Sequence, residues 1–217
     1  MSKFIELNSK HYRVIHSIYP PKNLFDTVVD HDALLLAELE GDTSDRLMRW
    51  RESVSVADAR FGDGWGPVMA SFCYISPGRF NTHQFGCYYS AVSVHTAIKE
   101  WAFHAAKVWN DFQYKDDAHA VVRSYCGSIT KPLIDATKNN RLHQADDYTT
   151  SQAFGVKARN DGAFGIYFRS VRDKGSNCYA LLRPPATTPV NQSAHFTINW
   201  EDGQFTEYAE VKQYRKL

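Results

Sequence analysis

The chain has 217 residues, 43% hydrophobic and 23% charged, enough for one large packed domain or two small ones, and this balance excludes a disordered or low-complexity polymer. Lys+Arg 25 against Asp+Glu 24 leaves a formal charge of +1, so the broad basic field needed for sequence-independent nucleic-acid binding is missing and no direct nucleic-acid partner is expected. Aromatic residues reach 14%, a share that suits either a packed core or a stacking floor for a planar ligand.

Met1 to Lys10 lacks the apolar stretch of a signal peptide, and no run approaches the ~18 apolar residues of a membrane span. Neither export by that route nor a membrane partner is expected. Cys73, Cys87, Cys126 and Cys178 are scattered, with no C-x-x-C pair, which fits reduced thiols in the cytoplasm and neither a zinc ribbon nor a thioredoxin-like motif.

From His11 to Tyr19 the pattern is short and strand-like, ended by Pro20-Pro21. Asp30 can cap a helix that stops at Gly41, and Thr43 or Ser44 a second one through Trp50, so residues 1–60 read as a mainly helical segment packed on the core. Phe61 to Pro67, FGDGWGP, lacks the Gly-Lys-Ser/Thr ending of a phosphate-binding loop and reads as a turn. Pro67 then opens a short helix, Val68 to Tyr74. After the Pro77-Gly78 turn, Gly86 to Ala91 reads as a buried strand, and Ser93 caps a helix from Val94 to Asp111. Further strands are expected at Ala120–Ile129, Gly165–Val171, Asn177–Leu182, His195–Trp200 and Glu207–Val211, with a helix at Ser151–Asn160 ended by Gly162. With no linker and no repeat, the reading is a single α+β domain over residues 1–217, with a largely antiparallel β core and flanking helices.

Several polar residues stand out. Glu100 lies among Ala97, Ile98, Trp101 and Ala102, and helical spacing turns its carboxylate toward the core side. The plain alternative is a solvated glutamate next to Lys99. His104, one turn on, suits a hydrogen-bonded pair with Glu100 better than a metal site, because further ligands with matching spacing are absent; no metal is expected. Arg79, after the Pro-Gly turn, can grip a phosphate or carboxylate in two-point fashion, or form a surface ion pair. Ser170, at a strand end between Arg169 and Arg172, can line an anionic cleft or simply sit in a turn. It lies in no G-x-S-x-G elbow, and no HExxH motif is present, so a serine hydrolase and a metalloprotease are disfavoured.

The stretch PGRFNTHQFGCYYSAVSVHTAIKEWAFH, Pro77 to His104, resembles the RES domain family: an Arg-Phe after glycine, a Tyr-Tyr strand, then a Thr-Ala-Ile-x-Glu helix with a histidine one turn later. YRVIHSIYPPKNLFD from Tyr12, GDGWGPVMASF from Gly62, DDYTTSQAFG from Asp146 and GIYFRSVRDKGSNCYALLRP from Gly165 extend the resemblance over nearly the whole chain. The resemblance implies an ADP-ribosyltransferase-like fold and a toxin that degrades NAD, paired with a helix-turn-helix (Xre-type) antitoxin; a homodimer is compatible with it. It places the family's arginine on Arg79, its tyrosine on Tyr89, its glutamate on Glu100 and its serine on Ser170. The segment before the serine departs from the pattern, reading Tyr167-Phe168-Arg169-Ser170 where the family has Tyr-Pro-Ser.

These residues suit cleavage of the nicotinamide–ribose bond. The leaving base departs neutral and needs no general acid, and the transition state resembles an oxocarbenium ion that a carboxylate stabilises. Glu100 then supplies the charge and Arg79 the pyrophosphate grip. Tyr89 offers a ring face for positioning, so Tyr89→Phe is expected to be tolerated, and Ser170 orients a ribose or the nicotinamide end. Tyr88, pointing to the opposite face of the strand, is expected in the packed interior. Transfer of ADP-ribose to a protein, and a non-catalytic binding module whose aromatics are simply core, are the alternatives.

Overall fold

The computed structural model describes residues 3–17, 52–114 and 118–212. The helices expected between Asp30 and Trp50 lie outside the described residues. Twelve elements lie wholly within the described residues, in chain order: β1 (Phe4–Ile5), β2 (Lys10–His16), α1 (Gly66–Cys73), β3 (Tyr88–Ala91), α2 (Val94–Asp111), β4 (Ala118–Ser128), β5 (Leu133–Asp135), α3 (Thr149–Asn160), β6 (Gly165–Arg169), β7 (Asn177–Leu181), β8 (Asn191–Glu201) and β9 (Gln204–Val211), with single 3-10 turns at Asn140–Leu142 and Pro184–Ala186. Among the described residues the strands form one sheet in the order β1-β5-β6-β7-β3-β2-β4-β8-β9. Every pairing is antiparallel except β5 with β6. The α+β class and the largely antiparallel core are therefore as expected.

The strand expected from His11 belongs to the sheet. β2 runs inside it, paired with β4 from Lys10↔Ser128 to His16↔Val122 and touching β3 at Tyr12↔Ala91. Alternation along the strands divides the side chains between two cores. One face carries Val14, Ala91, Val122, Ile166, Cys178, Ala180 and Phe196, covered by Ala97 and Ile98 of α2 and Ala158 of α3. The other carries Tyr88, Tyr125, Leu133, Tyr179 and Leu181 against Val68, Met69 and Phe72 of α1. As expected, the two adjacent tyrosines separate: Tyr88 is fully buried in the second core, and Tyr89 packs on the first. Residues 61–67 form a turn into α1, with Gly62 and Gly64 at positive φ. No helix among the described residues is long and apolar enough to cross a membrane, and all four cysteines are free.

The second core holds one titratable side chain that constrains stability. His11 is fully buried, with Nε2 2.6 Å from Thr187 Oγ1 and Nδ1 without a hydrogen-bond partner. Burial, reinforced by the charge of Arg13, lowers its pKa from 6.5 to about 4. Between these values the unfolded chain binds the proton that the folded chain refuses, so stability is complete above pH 6.5 and falls as pH drops toward 4, by roughly 3 kcal/mol in all. Melting curves from pH 4 to 7 should show that slope in the wild type and a flatter one in His11→Gln; equal slopes would remove His11 from the acid response.

Candidate functional site

The helix that carries Glu100 is fixed at its start by sequence-local chemistry. Ser93, in extended conformation, accepts the Thr96 N–H at 3.1 Å and closes the first turn of α2. From there Ala97, Glu100, Trp101, His104, Lys107 and Val108 recur at three- and four-residue spacing and together form one wall of a cleft of about 560 Å³. The sheet forms the floor through Tyr89, Ala91, Phe168 and Cys178, and the 74–79 loop with Tyr148 forms the opposite wall. Its size is ordinary for a small-molecule site. Among the described residues the lining carries Arg13, Arg79 and Lys107 against the single carboxylate of Glu100, a balance that favours an anionic ligand.

Arg79 is 8% exposed, and one guanidinium nitrogen donates to the carbonyls of Leu142 at 3.2 Å and Gln144 at 2.7 Å. Its Cζ lies 4.5 Å from the centre of the Tyr148 ring. The ion pairs among the described residues give it no carboxylate partner. Burial lowers its pKa, opposed by Tyr148 and Glu100, yet a guanidinium remains charged at physiological pH. Arg79 is thus a buried cation held by carbonyls and an aromatic face at the edge of the cleft, not an exposed side chain, and among the described residues its second terminal nitrogen has no hydrogen bond.

Glu100 Oε1 accepts the Ser170 hydroxyl at 2.6 Å. That hydroxyl in turn accepts the N–H groups of Arg172 at 3.2 Å and Asp173 at 2.8 Å. One donor and two acceptors exhaust what a serine hydroxyl has. Ser170, expected to orient a ribose or the nicotinamide end, is therefore spent on the protein itself: it holds Glu100, and it does not line the cleft. The loop after it is anchored to α2 as well, because Asp173 accepts Thr96 Oγ1 at 2.7 Å and pairs with Lys99 at 2.8 Å. The flanking arginines turn elsewhere, Arg169 to Asn140 and Arg172 onto the Phe103 ring.

Glu100 and His104 both line the cleft, but no hydrogen bond joins them; the carboxylate takes Ser170 instead. Burial lowers the His104 pKa, with Glu100 opposing. Among the described residues no group of three or more His, Cys, Asp or Glu side chains is arranged to hold a metal.

Tyr89 lines the cleft, but its hydroxyl is also engaged: it accepts the Phe80 N–H at 2.8 Å and donates to Asn81 Oδ1 at 2.9 Å. Burial raises its pKa well above the ordinary tyrosine value. The expectation that Tyr89→Phe is tolerated is thus at odds with the geometry, since the change would leave a buried N–H and a buried carbonyl oxygen unpaired. Tyr148 and Asn81 were missed as site residues. Both stand in the stretches that carry the family resemblance, yet nothing in their local pattern indicates the ring under Arg79 or the buried amide beside Tyr89.

The RES domain model matches residues 46–201. The chain belongs to the RES domain family. No curated protein matches the sequence. Among solved structures the chain is similar to one from the M. tuberculosis MbcT–MbcA toxin–antitoxin complex, with 14% identity and a TM-score of 0.46, covering 96% of this chain and 86% of that one. Within the matched RES domain, Arg79, Tyr89 and Glu100 face one cleft and Ser170 backs it.

Proposed function

We propose that this RES domain is an NAD-degrading enzyme of the toxin type, cleaving the bond between nicotinamide and ribose with water or phosphate as acceptor. The observation that carries the reading is the pairing, in one cleft, of a buried arginine with no carboxylate partner among the described residues and a glutamate fixed by a serine. In the reaction the C1–N bond of the nicotinamide riboside breaks and both its electrons stay on the ring nitrogen, neutralising the pyridinium. The acceptor oxygen forms the new bond to C1 and loses its proton to solvent when the acceptor is water. Glu100 stabilises the positive charge that develops on the ribose, and does so at no reorganisation cost because Ser170 holds it in place. Arg79 grips the pyrophosphate through the donors not used on Leu142 and Gln144. Tyr89 and Tyr148 supply apolar walls for the ligand's flat parts.

The same reading takes residues 1–217 as one RES-like domain acting in the cytoplasm, and the antitoxin of such a toxin as a helix-turn-helix protein of the Xre type. NAD is the substrate, and no metal takes part. Incubating the purified chain with NAD tests the reaction. Nicotinamide with ADP-ribose means hydrolysis, nicotinamide with ADP-ribose-1''-phosphate means phosphorolysis, and labelled protein would move the reading to ADP-ribosyl transfer. Undiminished NAD would overturn it.

A further inference from the structure

The loop that carries Arg79 is wound around one buried amide. Asn81 is fully buried, and its Nδ2 donates to the carbonyls of Ser76 and Phe85, each at 2.9 Å, and to that of Thr82 at 3.3 Å. Its Oδ1 takes the Tyr89 hydroxyl proton at 2.9 Å, and its own carbonyl accepts the Gly78 N–H at 3.1 Å. The Tyr89 oxygen closes the circuit by accepting the Phe80 N–H at 2.8 Å. Both neighbours of Arg79 in the chain are therefore tied to the same Asn–Tyr pair. The fit leaves no slack: a Cβ on Gly78 would stand 2.8 Å from the Tyr89 hydroxyl and 2.9 Å from Asn81 Oδ1. From the other side α3 presses in, with Gln152 Nε2 donating to the Gly78 carbonyl at 3.0 Å and a Cβ on Gly155 colliding with the Phe80 carbonyl.

We infer that Asn81 is a positioning residue that acts through Tyr89 to set the direction of the Arg79 guanidinium, so that the tyrosine contributes through its hydroxyl as well as its ring. A buried polar network with every member satisfied is rigid, because any displacement exposes an unpaired group to a low-dielectric interior. A two-point grip on a pyrophosphate needs that rigidity, since a guanidinium that swings loses geometric match before it loses charge. Asn81 reaches no ligand: it does not line the cleft.

The inference rests on the proposed NAD reading, and the test separates the two. Tyr89→Phe keeps the ring and removes the link; Asn81→Ala removes the hub. For each, the measurements are melting temperature, ADP-ribose affinity by calorimetry well below that temperature, KM and kcat for NAD, and the Nε–H resonance of Arg79, assigned by its loss in Arg79→Lys. Both variants are expected to move the Arg79 resonance, to weaken ADP-ribose binding and raise KM by about tenfold or more, and to change kcat by less than about threefold. The double variant should be no worse than the poorer single one, because the two residues form one link. Should Asn81→Ala fail to fold, Tyr89→Phe carries the test alone. A folded variant with an unmoved Arg79 resonance and wild-type affinity overturns the inference. A wild type that binds no ADP-ribose, while the Arg79 resonance still moves in the variants, overturns the NAD reading and leaves the positioning role standing.

Discussion

Glu100→Gln is expected to lower NAD turnover by roughly 10²- to 10³-fold, the range found when a single group that stabilises transition-state charge is removed. The fold should survive. A glutamine keeps an oxygen for the Ser170 hydroxyl, which Glu100 Oε1 now accepts at 2.6 Å, so the loop from Ser170 to Asp173 has no reason to move. Affinity should survive as well, because the charge of Glu100 is matched to a cation that matures only as the glycosidic bond breaks. The diagnostic result is therefore a kcat loss with nearly unchanged melting temperature and KM. Turnover close to wild type would take Glu100 out of the chemistry.

How much of this could be read from the sequence depends on how local the determinant is. The β3–α2 unit was legible because its signals are contiguous: a Tyr-Tyr run, then Ser93 with its side chain on Thr96 N–H, then an amphipathic helix ending at Asp111 as expected. The helix over residues 149–160 and the strands β4 and β6 to β9 followed from alternation and turns, with ends displaced by a few residues. β5 was missed because three residues, Leu133–Asp135, are too short to show a period; it joins the sheet only through its parallel neighbour β6 and its partner β1. The candidate site divides in the same way. Residue types and positions singled out Arg79, Glu100 and Ser170, and the family resemblance added Tyr89, whereas the links between them are formed across long sequence separations. Ser170 lies 70 residues from Glu100, and the carbonyls that cradle Arg79 lie 63 and 65 residues away. No local pattern encodes that a serine spends its whole hydrogen-bonding capacity inside the protein, or that a tyrosine hydroxyl is tied to the turn that carries the arginine.

Arg79→Lys is expected to behave as a drastic change. A lysine keeps the charge but not the shape: one ammonium on a flexible stem cannot donate to Leu142 and Gln144, pack over the Tyr148 ring and still present two donors to a pyrophosphate. Each charge-assisted hydrogen bond lost is worth about 1.5–3 kcal/mol, so ADP-ribose affinity should fall by about ten- to a hundredfold or more. KM should rise in step, while kcat at saturation falls less, because Glu100 and Ser170 sit on other elements and stay in place. Some stability should go too, since a shorter side chain without the planar guanidinium gives up the packing on the Tyr148 ring in a largely buried place. Calorimetric titration with ADP-ribose and a melting curve on the same sample separate the two effects. Wild-type affinity in a well-folded Arg79→Lys variant would mean that the guanidinium only braces the 142–144 segment, and the anion grip would have to be sought at Arg13 or Lys107, the other cations of the cleft.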